Sequence, residues 1–328
     1  MITIYLILSG WLINVILFMN LDRIAKIINL YDIPNQNRKI HLLPIPPIGG
    51  IFLIINLFFI ALVDLYFGIF NFNYLVFFGY SVSIFFIALL DDIFNLTPFK
   101  KFFFISLIVF SLLFFNDDKL ISKIAFDFYY VSIEGYFLKF FFTWLCVMLF
   151  LNAINLYDGV NGQLATYAIF IFLFFLYEKI FFNLSLFILV FLIVFLYHNL
   201  KGKIFLGDNG SFVIGFLIAF IVITNNSTPS YLKGEKIFLL MFLPGLDMLR
   251  IFIERLANKR NPFIGDQTHI HHLLIKKFSE KKIFFINILM YSIPIILSYK
   301  INNLLLIFIL IISYLLFIYK YLDHKLKK

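Results

Sequence analysis

Charge is what this chain has least of. Of its 328 residues only 14% are Asp, Glu, Lys or Arg, against 62% hydrophobic and 21% aromatic. A water-soluble domain carries about a quarter charged residues, so an ordinary globular fold, a disordered segment and a basic nucleic-acid-binding domain are excluded. Acid is scarcer than base, 18 residues against 27, which leaves a net charge of +9. Cysteine is nearly absent: the single Cys146 sits in an apolar run and cannot close an internal disulfide. Neither G-x-x-x-x-G-K-S/T nor G-x-G-x-x-G occurs, so no P-loop or dinucleotide loop is indicated. Residues 1–20 lack a basic n-region, so a cleaved signal peptide is not expected.

What is there in quantity is long apolar sequence. A helix needs about 20 apolar residues to cross roughly 30 Å of hydrocarbon. Runs of this kind cover residues 2–20, 49–70, 74–90, 102–115, 137–155, 164–181, 183–197, 209–224, 236–253, 283–299 and 302–320. None alternates strictly, and in lipid each must satisfy its own backbone, so helices are expected. The breaks at Glu178-Lys179 and at 300–302 are short. The expected fold is an all-α, polytopic membrane bundle of about 11 transmembrane helices, one integral-membrane domain over residues 1–328. Within the longest outer segment, 116–136, the Phe126–Val131 run suggests a short hairpin at the membrane interface.

The basic residues then orient the bundle. When the loops are numbered alternately, 20 of the 27 Lys and Arg fall on one side with the C-terminus. The positive-inside rule places that side in the cytoplasm and the N-terminus outside, which requires an odd number of spans. Most of the +9 is accounted for by topology and contact with anionic lipid.

The polar residues that look chemical gather on the same side. Asp91-Asp92 ends the third run, where the negative end of a helix dipole repels carboxylates. Either the pair caps a loop at the water boundary, or a cation relieves the conflict, and Mg²⁺ suits one or two carboxylates plus phosphate. Asp208 follows Gly207 at the start of a run in which Gly207, Ser211 and Gly215 make one face small enough for close packing. It could share a metal with Asp91 and Asp92. Asn152, Asn155, Asp158 and Asn161 recur every three residues, each step turning the position by about −60° on a helix. Asp158-Gly159 and Asn161-Gly162 mark a break there. A polar turn explains the glycines but not Asn152 and Asn155 inside the last turn of the span; an unwound end presenting amides and a carboxylate to a polar ligand explains both. Asp247, within the ninth run, has an internal partner available in Arg250 or Arg255. His269, His271 and His272 lack the spacing of a zinc site, and beside Arg255, Lys259 and Arg260 they suit phosphate oxygens.

Taken in order, Asp32-x-Pro-Asn35-x-x-Arg38-Lys39-x-His41, Pro44-x-Pro46-x-x-Gly49-Gly50, Asp91-Asp92, Asn152-x-x-Asn155-x-x-Asp158-Gly159, Gly207-Asp208-x-Gly210-Ser211, Asp247 and His269-x-His271-His272 closely resemble the polyprenyl-phosphate N-acetylhexosamine-1-phosphate transferases of glycosyltransferase family 4. Any one motif is weak; together they cover nearly the whole chain. The resemblance implies a multi-pass enzyme of the cell membrane with a cytoplasmic-face active site. It would move a sugar-1-phosphate from a UDP-N-acetylhexosamine to undecaprenyl phosphate, release UMP and initiate a cell-envelope polysaccharide such as O-antigen or teichoic acid. The interrupted His-x-His-His form resembles the branch that takes UDP-N-acetylglucosamine, rather than the phospho-muramoyl branch with three consecutive His. Other UDP-N-acetyl-amino-sugars share these motifs.

By position the resemblance makes Asp91, Asp92 and Asp208 catalytic and metal-associated, with Mg²⁺ as cofactor and Mn²⁺ as substitute. His271 joins the catalytic set. Asn152, Asn155 and Asp158 would face the nucleotide, Lys39 and His41 the phosphate end, and Arg255, His269 and His272 the pyrophosphate or amino-sugar. Membrane lipids are expected partners, nucleic acid is not, and a homodimer is compatible with the sequence. One departure concerns the loop before Gly207: relatives often carry an Asn ahead of Pro-Ala, whereas His198-Asn199-Leu-Lys-Gly-Lys is shorter and lacks the Pro. The competing class is an ion- or proton-coupled transporter. It would place its acids near the middle of several spans, where this chain has only Asp247 and Asp64.

Overall fold

The computed structural model describes residues 2–34, 43–69, 74–226, 232–260 and 268–326. Its helices are α1 (Ile2–Met19), α2 (Leu21–Ile28), α3 (Gly49–Phe67), α4 (Tyr74–Phe94), α5 (Pro98–Phe115), α6 (Tyr136–Tyr157), α7 (Gln163–Tyr177), α8 (Phe182–Leu200), α9 (Gly207–Asn225), α10 (Gly234–Ala257), α11 (Ile270–Ile275), α12 (Glu280–Leu297) and α13 (Asn303–Leu326). Each of the eleven apolar runs corresponds to one helix among α1, α3 to α10, α12 and α13. The loop 116–136 carries an antiparallel hairpin, β1 (Lys123–Ala125) with β2 (Tyr130–Ser132), in the register Lys123 to Ser132. The Phe126–Val131 run expected to form the hairpin supplies its turn and the start of β2, while β1 precedes it.

Eleven spans are not confirmed by helix length and composition among the described residues. Seven helices, α3, α4, α5, α6, α8, α9 and α13, are long and apolar enough to cross a membrane. The pair α1 and α2, bent by 64°, makes an eighth if it is one span. The remainder fall short for identifiable reasons. Helix α7 has only 15 residues. Helix α10 carries Glu235, Lys236, Asp247, Arg250, Glu254 and Arg255, and α12 opens on Glu280, Lys281 and Lys282.

Helix boundaries follow local chemistry. Thr97 caps α5 by accepting the Lys100 amide, with Pro98 at the first helical position. Between α7 and α8 the chain reverses through Lys179 and Phe181, both left-handed at φ 59° and 45°. Asn302 caps α13, its side chain accepting the amides of Leu304 and Leu305.

Helix α9 is the centre of the bundle and packs against α3, α4 and α6. It is apolar all round, as a helix enclosed by others must be, and 89% of its apolar window is buried, against 22% for α5 and α13 at the periphery. Small residues let its neighbours approach: a Cβ on Gly215 would lie 3.3 to 3.4 Å from Leu151 and Ile154 of α6. The tightest approach is to α3. The Gly49 and Gly50 amides donate to the carbonyls of Phe205 and Leu206 at 3.0 Å each. A Cβ on Gly50 would strike Asn209 and come within 2.6 Å of the Gly210 Cα. The glycine pair is therefore a docking surface for the start of α9. Helices α1 and α3 are joined inside the bundle by Asn14 and Asn56, whose amides exchange two hydrogen bonds at 3.0 Å while each also donates to its own helix.

Candidate active site

Four helix ends meet at one end of the bundle: the last turns of α4 and α6 and the first turns of α5 and α9. On α4, Asp91 and Asp92 point at different partners. Asp92 accepts the backbone amides of Asp208 and Asn209 at 3.0 and 2.9 Å and the Asn209 side-chain amide at 2.5 Å. It thus satisfies the free amides at the N-terminus of α9, where a carboxylate is favoured by the dipole. Asn209 donates as well to the Pro47 carbonyl at 2.9 Å, so Asp92 also braces the Gly49-Gly50 docking surface. Asp91 instead faces Asp208, and Lys101 of α5 sits between them, its Nζ 2.7 Å from Asp91 Oδ2 and 2.5 Å from Asp208 Oδ2. The Phe212 ring lies 5.4 Å from the same ammonium. Asn155 of α6 closes the group, donating to Asp208 Oδ1 and Ser211 Oγ at 2.9 Å each.

Two dipole conflicts explain why these charges meet. Carboxylates at the end of α4 and an ammonium in the first turn of α5 are each misplaced on their own helix. The two helices are consecutive, so the misplaced charges lie side by side and compensate one another. Lys101 is the residue that sequence reasoning missed, having been absorbed into the topology of basic loops. Its signal was a Lys one turn into a helix that opens at Thr97-Pro98, directly after an acid pair. Asn209 was missed too, as the partner of Asp92.

Asp91, Asp92 and Asp208 were expected to share one metal. Among the described residues no three His, Cys, Asp or Glu side chains are grouped to hold an ion. Two of the three acids converge on a common point, and the third is taken by the amides of α9.

The α6–α7 loop carries the site toward the histidines. Asp158 follows the end of α6 and is half-buried. Burial, then the nearby Asp208 and Asp92 carboxylates, push it up to about 7. Gly159 abuts the His271 imidazole so closely that a Cβ there would collide with it. The rings of His269 and His271 are parallel, 5.6 Å apart at 4°, and His272 lies 4.2 Å from His271. Burial, then the neighbouring His272 and His269, depress His271 to about 3, so it is neutral at physiological pH. Its Nδ1 has no hydrogen-bond partner among the described residues. His269 is held from below by Asp247 of α10, Nδ1 to Oδ2 at 2.9 Å. Of the two candidate partners for Asp247, Arg250 is the one that pairs, at 2.9 Å.

The other expected residues are placed as follows. Asn152 donates to the Met148 carbonyl of its own helix at 2.7 Å, one turn before Asn155. Arg255 is buried on α10. Lys39 and His41 lie outside the described residues. Asn199 is fully used by the fold, accepting the Gly162 amide at 2.6 Å and donating to the Ile204 carbonyl at 2.7 Å. It ties the α6–α7 loop to the segment leading into α9.

Comparison with known proteins covers the part of the chain that carries the acidic cluster. Residues 74–226 match the family model described as glycosyl transferase family 4. They contain Asp91, Asp92, Lys101, Asn155, Asp158 and Asp208. This segment is similar to glycosyl transferase family 4. The chain is also 30% identical over 146 residues to an undecaprenyl-phosphate alpha-N-acetylglucosaminyl 1-phosphate transferase of Thermotoga maritima, covering 44% of this chain and 45% of that protein. The protein of the same name from Escherichia coli strain K12 is 28% identical over 154 residues, 43% of this chain and 41% of its own length. That from Pasteurella multocida is 34% identical over 77 residues, 23% and 22% respectively. The chain thus aligns with less than half the length of these relatives. The family 4 segment holds the acidic cluster, while the histidines and Asp247 lie beyond it.

Proposed function

We propose that this chain transfers N-acetylhexosamine-1-phosphate, most readily N-acetylglucosamine-1-phosphate, from a UDP-sugar to undecaprenyl phosphate, releasing UMP and starting a cell-envelope polysaccharide. The observation that carries this reading is the convergence of Asp91, Asp208, Lys101 and Asn155 from four helices inside the family 4 segment. The names of the similar proteins support the acceptor and the sugar-1-phosphate. In this reading the bundle crosses the cell membrane with its N-terminus outside, and the acidic end faces the cytoplasm, where UDP-sugars are made.

The donor set fits the cation that the family resemblance implies. Two carboxylate oxygens, from Asp91 and Asp208, already converge on one positive atom, the Lys101 ammonium. A hard cation that takes one or two carboxylates and substrate phosphates suits such a pair. Asp91 and Asp208 would hold Mg²⁺, or Mn²⁺ in its place, which when bound would offset phosphate charge and stabilise the leaving oxygen. Asp92 would stay on the amides of α9 and fix Asp208 in place.

The protein's own groups do the rest. A lipid phosphate is already ionised at neutral pH, so its oxygen can attack the β-phosphorus of the UDP-sugar without a strong general base. The bond from that phosphorus to the bridging oxygen breaks and UMP leaves with the electron pair. Lys101 supplies positive charge beside the transferring phosphoryl group. Asn155 orients Asp208. Neutral His271 donates one N–H rather than a full charge, while Lys39 and His41 would lie at the phosphate end and Arg255, with His269 and His272, would hold the pyrophosphate or amino-sugar. Carboxylates gathered at helix ends, rather than strung through the middle of spans, favour transfer over an ion path.

The test is to incubate purified protein with Mg²⁺, undecaprenyl phosphate and, separately, UDP-N-acetylglucosamine, UDP-N-acetylgalactosamine and UDP-glucose. UMP is expected with the first and not with UDP-glucose. Release of UMP from none of the N-acetylated donors would remove the reading. One-step transfer further predicts that no labelled sugar-phosphate stays on the protein when acceptor is withheld.

A further inference from the structure

Beyond the acidic cluster, one buried network is built more completely than packing requires. Asp247 lies in α10, three residues after Pro244, and is 1% exposed. Its Oδ1 accepts from Arg250 at 2.9 Å, from the Tyr314 hydroxyl of α13 at 3.0 Å and from the Ile270 amide at 3.2 Å. Its Oδ2 accepts from His269 Nδ1 at 2.9 Å. Arg250 also donates to Tyr314 at 3.1 Å, to Glu254 at 3.1 Å and to the Thr268 carbonyl at 2.7 Å. The loop carrying His269 is therefore fastened to α10 through the Thr268 carbonyl, the His269 ring and the Ile270 amide.

A carboxylate surrounded by a guanidinium, a hydroxyl and an amide can only accept. The proton in its bond to His269 therefore sits on Nδ1, and Nε2 is the nitrogen left to meet a ligand. His269 stacks parallel to His271, which touches Gly159 of the α6–α7 loop. The orientation of the first ring is thereby passed to the array that packs against the α6–α7 loop.

We infer that Asp247 is the positioning residue of the histidine array: with Arg250 and Tyr314 it fixes His269 as the Nδ1–H tautomer and aims Nε2 at a substrate phosphate. The network ties the C-terminal helix α13 to the site, so that Tyr314, far from the acidic cluster in sequence, belongs to the same machinery. The phosphate is assigned on the transfer reading proposed above; the tautomer is not, since it depends only on the contacts within the fold.

The experiment exploits that separation. Protein carrying ¹⁵N-histidine is examined in micelles without substrate at pH about 8, above the ordinary imidazole range. Long-range proton–nitrogen correlation reads the tautomer, and His269→Gln identifies the His269 signals. The wild type should show Nδ1 protonated and Nε2 bare. Asp247→Asn should lose this preference, because its amide can donate to Nδ1, and Tyr314→Phe should keep it. In the UMP assay, Asp247→Asn should lower kcat roughly 10- to 100-fold, the cost of removing a group that orients a ring, with a smaller change in KM. A wild-type His269 protonated on Nε2 overturns the inference without any variant having to fold. An unchanged tautomer in Asp247→Asn overturns it as well. Absence of UMP release with the expected tautomer would remove the transfer reading and leave the positioning intact.

Discussion

The two ends of the bundle use their charged side chains in opposite ways. At the hairpin end, acids are matched one by one. Asp127 pairs with Lys233 at 2.6 Å and accepts from Asn303 at 3.3 Å. Glu178 pairs with Lys236 at 2.5 Å and accepts the Tyr299 hydroxyl at 2.6 Å. Glu235 receives the Asp127 amide at 2.8 Å. Lys233 holds Asp127 below the usual carboxylate range. Burial alone would raise Glu178, yet Lys236 and Tyr299 bring it below that range too. At the acidic end, four carboxylates, Asp91, Asp92, Asp158 and Asp208, are grouped with one ammonium, Lys101, among the described residues. The first pattern joins a hairpin and three helices through two ion pairs, with Glu235 accepting a backbone amide beside them. The second leaves surplus negative charge at a partly dry site, which is costly unless a cation balances it. Structure alone explains one end; the other calls for a ligand.

Substitutions should separate the ends accordingly. Asp208→Asn should lower UMP release at least about 100-fold, as the loss of a charged group acting on the transition state does. Asp127→Asn, at the other end, should leave turnover unchanged and cost under about 1 kcal/mol, because its ion pair is exposed. Equal losses in the two variants would erase the distinction. Lys101→Met should come next. It leaves Asp91 and Asp208 facing each other and should cost about 3 kcal/mol, seen as a lower melting temperature that added Mg²⁺ partly restores. No recovery with Mg²⁺ would count against a cation seat between those two acids.

The architecture beneath the acidic end gives smaller effects. Gly50→Ala should cost about 1 to 3 kcal/mol from overpacking against Asn209 and Gly210, whereas Gly79→Ala on α4, where a Cβ meets nothing within 4 Å, should be neutral in thermal unfolding. The pH response is a separate handle. Asp158 is raised to about 7 in the fold but titrates near about 4 when unfolded. The folded state therefore holds the proton more tightly. That contribution is fully present below about pH 4 and is lost as pH rises through about 7. The unfolding midpoint should fall across this window, and Asp158→Asn should flatten it. Asn14→Ala, away from both ends, should cost about 1 kcal/mol for a lost intramembrane amide pair, with turnover intact.

Much of this was legible in the sequence, for physical reasons that differ from place to place. Apolar run length located the helices because each must satisfy its own backbone. The Asp158-Gly159 and Asn161-Gly162 break marked the α6–α7 loop. Counting spans by run length left eleven crossings unconfirmed, because α7 has only 15 residues and run length does not register the charges on α10 and α12. Lys101 was hidden because its meaning is relational: it reads as a loop lysine until α4 and α5 bring it between Asp91 and Asp208. The division of labour between Asp91 and Asp92 was equally invisible, because adjacent residues on a helix point about 100° apart and only the fold decides what each meets. Asn199, in the loop that departs from the relatives, is used by the fold for two backbone hydrogen bonds.

The central claim is that the acidic end moves a sugar together with its phosphate. It is tested most directly by supplying UDP-N-acetylglucosamine labelled on its β-phosphorus, with undecaprenyl phosphate and Mg²⁺, and following the label. The account predicts label extracted with the lipid while unlabelled UMP is released. Label remaining in water as UDP, with sugar alone on the lipid, would contradict it.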